Sequence, residues 1–299
     1  MTQIISDNEL ISELKERFEK NEKLFREQLE LMTQLKSVNQ KLVVSEELKS
    51  NFLSNIRNEI NNPVASILEL SKNILEGNMS AEVIKKFAAL IYSETFSLDF
   101  QLRNIFASAE IEAGEASVST VSVNVSSLLE NALFSFKHQI EKKSINLYVT
   151  SSIQNDQTFY SDPEKLHLII SNLLANAIQY SEVGGSVEVK FEIENGELFF
   201  SILDYGRGIS DSEREIIFDR FRQIEEGSTK TYGGHGLGLC ITKALLDLID
   251  GEIMLESEKN KGSIFSICVK EAESSQSEQD IFSSDGNDFL FTDNVNVTF

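Results

Sequence analysis

Apolar positions along the chain fall into two regimes. From about residue 9 to 50 they recur in heptads, with Ile11, Phe18, Phe25 and Met32 in one seam row and Leu14, Leu35 and Leu42 in the other. Asn21, Gln28 and Asn39 fill the remaining seam positions, and polar residues there set register and strand number at some cost in stability. The pattern predicts a coiled coil over 1–50, the alternative being one surface helix packed on its own domain. It continues without a break into an amphipathic helix over 51–75, where Phe52, Ile56, Ile60, Ile67 and Leu70 share a face. Pro63 lies inside that helix and should kink or loosen it about one turn earlier. A second helix is expected from an N-cap at Ser80 to about Glu112, ending at Ala113-Gly114-Glu115. Two such helices per chain, doubled in a dimer, would make a four-helix bundle over 51–115.

After about residue 116 strands and helices alternate, which marks a layered α+β unit extending to 270. Strands are expected at 121–125, 145–150 and 159–161, and helices at 126–142 and from Asp162-Pro163 to Tyr180. Residues 186–194 and 197–204 read as a hairpin turning at Asn195-Gly196. A helix at 235–249 and strands near 252–257 and 262–269 complete the unit. The tail, 271–299, carries seven acidic residues and no basic one, and its composition predicts disorder. Its apolar residues Phe282, Phe289, Leu290, Phe291 and Phe299 leave open a short docking peptide or a loose tail folding back.

Charge narrows the function classes. With 27 basic against 48 acidic residues the net charge is −21, so nucleic acid and anionic membranes would be repelled. No apolar run is long enough to span a bilayer, and the first residues carry no secretory signal. Cys240 and Cys268 lack metal-type spacing and read as reduced core residues. A cytoplasmic protein is expected.

The stretch from Asn51 to Leu70 resembles the dimerisation and phosphoacceptor helix of sensor histidine kinases. Phe52, Glu59, Asn62 and Pro63 fall on the family pattern, but the phosphoacceptor position is Asn58. An amide nitrogen has its lone pair delocalised into the carbonyl and cannot take a phosphoryl group at a useful rate. No histidine precedes His138, so self-phosphorylation at the usual site is not expected. Glu59 and Asn62 match the positions at which relatives hydrolyse phosphoaspartate on a response regulator, Asn62 holding the attacking water.

Further clusters resemble the ATP-binding domain shared by histidine kinases, the Hsp90 chaperone, type II topoisomerases and MutL proteins. On the helix that ends at Tyr180, Asn172 and Asn176 share a face, and the resemblance makes Asn176 the Mg²⁺ ligand with Asn172 beside the phosphates. In Asp204-Tyr205-Gly206-Arg207-Gly208-Ile209 the aspartate would accept from the adenine amino group, while the glycines let the backbone approach the base. Phe218 and Phe221 fall in the phenylalanine box, and Lys230 lies in the lid, within reach of the terminal phosphate. Gly234, Gly236, Leu237, Gly238 and Leu239 open a helix whose N-terminus favours phosphate, and Ser263 sits in the last glycine box. The family usually has lysine where Gln179 stands, and often threonine where His235 stands.

The resemblance implies binding of ATP and Mg²⁺, and dimerisation with itself or with a histidine kinase. It also implies a response-regulator receiver domain as partner. Three readings stay open: a regulatory pseudokinase, a response-regulator phosphatase, and a kinase acting in trans on a partner's histidine.

Overall fold

The computed structural model describes residues 7–77, 79–153, 157–220 and 236–273. Its first element is a single helix, α1 (Asp7–Glu76), of 70 residues, which at 1.5 Å per residue is about 105 Å long. The helix is assigned through Pro63 without interruption, where the sequence predicts a loosening. Phe18, Phe25, Met32, Leu35 and Leu42 are exposed along it. None of the described helices is long and apolar enough to cross a membrane.

After a short turn α2 (Ala81–Ala113) runs back along α1. It starts after Ser80 and ends on Gly114, whose φ of 68° supplies the left-handed cap. The next residues are tied down by Asp162, which accepts from Ser119 N–H at 2.8 Å. Asp162 also N-caps α5 (Pro163–Tyr180), accepting from Lys165 N–H at 3.0 Å, and pairs with the Lys165 ammonium at 2.8 Å. One buried carboxylate thus joins the linker to the helix that carries the two asparagines.

Between these points the chain forms β1 (Val121–Asn124), α3 (Val125–Ser135), α4 (Lys137–Lys143), β2 (Asn146–Ser151) and β3 (Thr158–Ser161). The helix expected over 126–142 is therefore two. It breaks at Phe136, whose ring is buried edge-on against Phe96 at 5.3 Å and Phe100 at 5.7 Å. The strand expected to reach 125 stops at Asn124, because Asn124 turns the chain as the N-cap of α3.

After α5 come β4 (Ser186–Glu194), β5 (Glu197–Asp204), the short α6 (Asp211–Arg214), α7 (Gly238–Leu248), β6 (Gly251–Glu258) and β7 (Gly262–Lys270). The hairpin turns at Asn195 and Gly196, both at positive φ, as an Asn-Gly turn of the primed type requires. Five strands form one sheet in the order β2-β4-β5-β7-β6, parallel only between β2 and β4, while β1 and β3 pair separately. One face of the sheet is covered by helices. Val187, Val189, Leu198, Phe200, Ile202, Phe265 and Ile267 from the strands are buried in one core with Leu166, Ile169, Ile170, Leu173, Ile241 and Leu245.

The hairpin docks on this unit through α2. Phe96, Phe100, Ile105 and Ile111 pack against the core, and Glu112 pairs with Arg220 at 2.9 Å. His167 on α5 faces the Asp99–Arg103 pair of α2. Burial and Arg103 hold its imidazole below the usual histidine value, against the opposing pull of Asp99.

Burial works against the charge on Asp162, but Lys165 and two backbone N–H donors hold its carboxyl below the usual range. The contribution is therefore present above the unfolded carboxylate value and is lost as pH falls through the lower folded one. Asp162→Ala is expected to cost about 1–2 kcal/mol in urea unfolding at pH 7. The gap should narrow as the medium is acidified below about pH 4.

Candidate functional site

The alternation of β5 carries the central feature of the site. Leu198, Phe200 and Ile202 point to the helix-covered face, and the next residue in that phase is Asp204, only 5 % exposed. Burial pushes its carboxyl up to about 6, against the pull of hydrogen bonds from Gly206 and Ser263. Gly206 N–H donates at 2.9 Å, and Ser263 lies directly across the ladder on β7. A carboxylate so placed is a strong acceptor for an N–H donor on a ligand.

Asp204 lines a cavity of about 840 Å³ together with Asn172, Asn176, Gln179 and Tyr180 of α5. Gly208, Ile209, Ile217 and Ser263 add to the wall, and Gly236, Leu237, Gly238 and Leu239 at the start of α7 close another side. Asn172 is 2 % exposed. Its Oδ1 would lie 3.4 Å from a Cβ on Gly238, so the amide faces the N-terminus of α7. Among the described residues Nδ2 of both Asn172 and Asn176 has no partner. The arrangement offers an anion the unpaired N–H groups of a helix start and two amide donors, and offers an amino group the buried carboxylate.

The glycines after Asp204 have a reason in the protein itself. A Cβ on Gly206 would run into the Tyr180 carbonyl, and one on Gly208, at φ 62°, into the Glu258 carbonyl. They let β5 exit between the end of α5 and the β6–β7 turn, where Asn260 N–H donates to the Arg207 carbonyl at 2.6 Å. Gly206 itself is not among the residues of the cavity wall. Arg207 turns back over the Tyr180 ring at 5.1 Å.

Other predicted residues are distributed as follows. Phe218 packs on the core with the Lys243 ammonium 5.6 Å from its ring, and it is the neighbouring Ile217 that faces the cavity. Phe221, Lys230, Gly234 and His235 lie outside the described residues, as does the side chain of Glu59. Asn58 is exposed on α1 and is not in the wall. Asn62, also exposed and one turn on from Asn58, and the buried Pro63 next to it do line the cavity.

Two groups of residues escaped the sequence reading. Lys143 Nζ donates to the carbonyls of Ile178 at 3.0 Å, Gln179 at 2.6 Å and Ser181 at 3.1 Å, closing the C-terminus of α5 beside the cavity; burial lowers its pKa. A lysine at the end of α4 looks in sequence like any cation in a last turn. The second group is the wall given by α2, Phe96, Ser97, Phe100, Gln101 and Asn104. Its only trace in sequence is polar Gln101 and Asn104 set among apolar neighbours.

A mixed five-stranded sheet under helices, with paired asparagines, a buried aspartate and a glycine-rich helix start around one cavity, is the ATP-binding fold of histidine kinases. Residues 161–273 match the family model of the histidine kinase-, DNA gyrase B- and HSP90-like ATPases. Over 226 residues the chain is 29% identical to the circadian input-output histidine kinase CikA of Synechococcus elongatus, covering 75% of this chain and 30% of that protein. It is likewise 29% identical over 231 residues to the autoinducer 2 sensor kinase/phosphatase LuxQ of Vibrio vulnificus, covering 75% and 27%. The crystal structure of full-length ShkA in complex with AMPPNP shares the fold, with TM-score 0.52 and 23% identity, over 76% of this chain and 46% of that one. Residues 161–273 thus form a histidine kinase-like ATPase domain, and the chain spans under a third of the length of these two curated relatives.

Because the folded-state pKa of Asp204 is raised, its buried charge opposes folding, and this penalty grows as pH rises from the unfolded carboxylate value to about 6. Asp204→Asn is expected to raise the melting temperature of the ligand-free protein at pH 7 and to flatten its pH dependence between pH 4 and 7. The same variant should lose binding of any ligand whose amino group donates to Asp204. Calorimetry checks both.

Proposed function

We propose that the chain binds a magnesium–adenine nucleotide in this cavity and serves a two-component system as a regulatory member that does not phosphorylate itself. The observation that carries the reading is Asn58. It stands exposed on α1, at the position the resemblance gives to the phosphoacceptor, and the groups that line the cavity suit a nucleotide. Phosphoryl transfer demands an in-line nucleophile, and an amide is none.

The residues present fit the nucleotide. Asp204 would accept from the adenine amino group, and the start of α7 with the amides of Asn172 and Asn176 would hold phosphate oxygens. Asp204 is the only carboxylate among the described wall residues, so Mg²⁺ would rest on the neutral Oδ1 of Asn176 and on the phosphates and retain several waters. The AMPPNP in the ShkA structure supports such a ligand here. Gln179 leaves the phosphates one cation poorer than in relatives with lysine there. The apolar row exposed on α1 supports pairing with a second copy or with a histidine kinase. The kinase relatives support a response-regulator receiver domain as the further partner.

A second reading has its own support. Asn62 is exposed at the rim of the cavity, its amide can orient a water, and one relative is a sensor kinase/phosphatase. Faster loss of phosphate from a phosphorylated receiver domain, abolished in Asn62→Ala, would establish it. Transfer of label to a histidine-bearing partner would instead establish a kinase acting in trans.

The regulatory reading is tested with labelled ATP. Wild type should bind ATP and remain unlabelled, and Asn58→His should gain an acid-labile phosphate on α1. Label on the wild type's own helical hairpin overturns the reading.

A further inference from the structure

Three side-chain oxygens in the wall between the hairpin and the ATP-binding unit have no hydrogen-bond partner among the described residues. They are Oε1 of Gln101, Oδ1 of Asn104 and Oε1 of Gln139, and all three residues line the cavity that holds Asn172 and Asn176. Asn104 decides the chemistry. It is 7 % exposed, and its Nδ2 donates to the Phe100 carbonyl at 3.0 Å. Turning the amide over would set two carbonyl oxygens against each other, so Oδ1 is fixed as an acceptor. A buried acceptor without a donor is costly, and native structures satisfy such groups with water or a ligand.

The donor must suit buried neutral oxygens of residues that line the same cavity as Asn172 and Asn176. Phosphate oxygens are themselves acceptors and would be repelled. Waters on a divalent cation carry strongly polarised O–H groups, and Mg²⁺ held by one amide and the phosphates keeps several of them. Amide oxygens accept from such waters without displacing them, whereas carboxylates would compete for the ion itself.

We propose that Gln101 and Asn104 of α2, with Gln139 of α4, accept hydrogen bonds from the waters of nucleotide-bound Mg²⁺, so that the hydrated metal joins the helical hairpin to the ATP-binding unit. The proposal rests on the nucleotide reading above. Metal-free ATP seats on the same α5 and α7 groups but leaves the three oxygens unsatisfied. Magnesium therefore tightens the docking of α2 as well as the grip on ATP.

The test uses the full chain, with ATP titrated by calorimetry in Mg²⁺ or in EDTA and amide hydrogen exchange followed along 97–104. In wild type, Mg²⁺ should raise ATP affinity and slow exchange in α2. Gln101→Leu with Asn104→Leu should keep metal-free affinity, lose about tenfold of the magnesium enhancement, and lose the slowed exchange. An unchanged enhancement and unchanged α2 protection in the double variant overturn the proposal, as does wild-type α2 exchange indifferent to Mg²⁺. If the double variant fails to bind metal-free ATP, Gln139→Leu, which leaves α2 intact, takes the same measurements with the same outcomes expected. Wild type that binds no ATP in either medium removes the nucleotide reading itself, and the metal cradle with it.

Discussion

The site depends on one constraint: a carboxylate must stay buried at the end of β5. Asp204 follows Leu198, Phe200 and Ile202 in the inward phase of the strand, so it cannot leave the core without shifting the register of the sheet. Its cost is reduced by the Gly206 and Ser263 donors, and those need a backbone path that only glycine allows. A side chain at Gly262, at φ 106°, would meet the Asp204 carbonyl. Two glycine boxes far apart in sequence are in this sense one feature. They clamp the same aspartate from both sides.

The second organising element is α5. Its start is fixed by Asp162 and Lys165, its end by Lys143 across three carbonyls. With both ends held, Asn172 and Asn176 stand at set heights along the cavity, one turn apart. The neighbouring α7 opens beside Asn172. Polar groups on two helices and one strand therefore converge on one volume, and the apolar core beneath them carries the packing energy.

Much of this was legible in the sequence because local rules and the fold agree there. The hairpin at Asn195-Gly196 has the bounds its turn chemistry predicts, and Asp162-Pro163 opens α5 as an N-cap followed by proline. What was not legible depends on tertiary contact. Phe136 breaks a helix that propensity would continue, because its ring fits between Phe96 and Phe100 of another element. Lys143 and the α2 wall join the site across long sequence separations, with no spacing rule to betray them. That a Cβ at Gly206 would meet the Tyr180 carbonyl is likewise a contact no motif spacing reveals.

The unbroken run of α1 has a mechanical consequence. Asn58, Asn62 and Pro63 sit far along a helix that runs from the exposed apolar row to the cavity rim, one backbone hydrogen bond missing where Pro63 has no N–H. A rotation imposed on that row by a bound neighbour cannot be absorbed in a linker. It is passed along the helix to Asn62, whose side chain it would carry towards or away from whatever occupies the cleft.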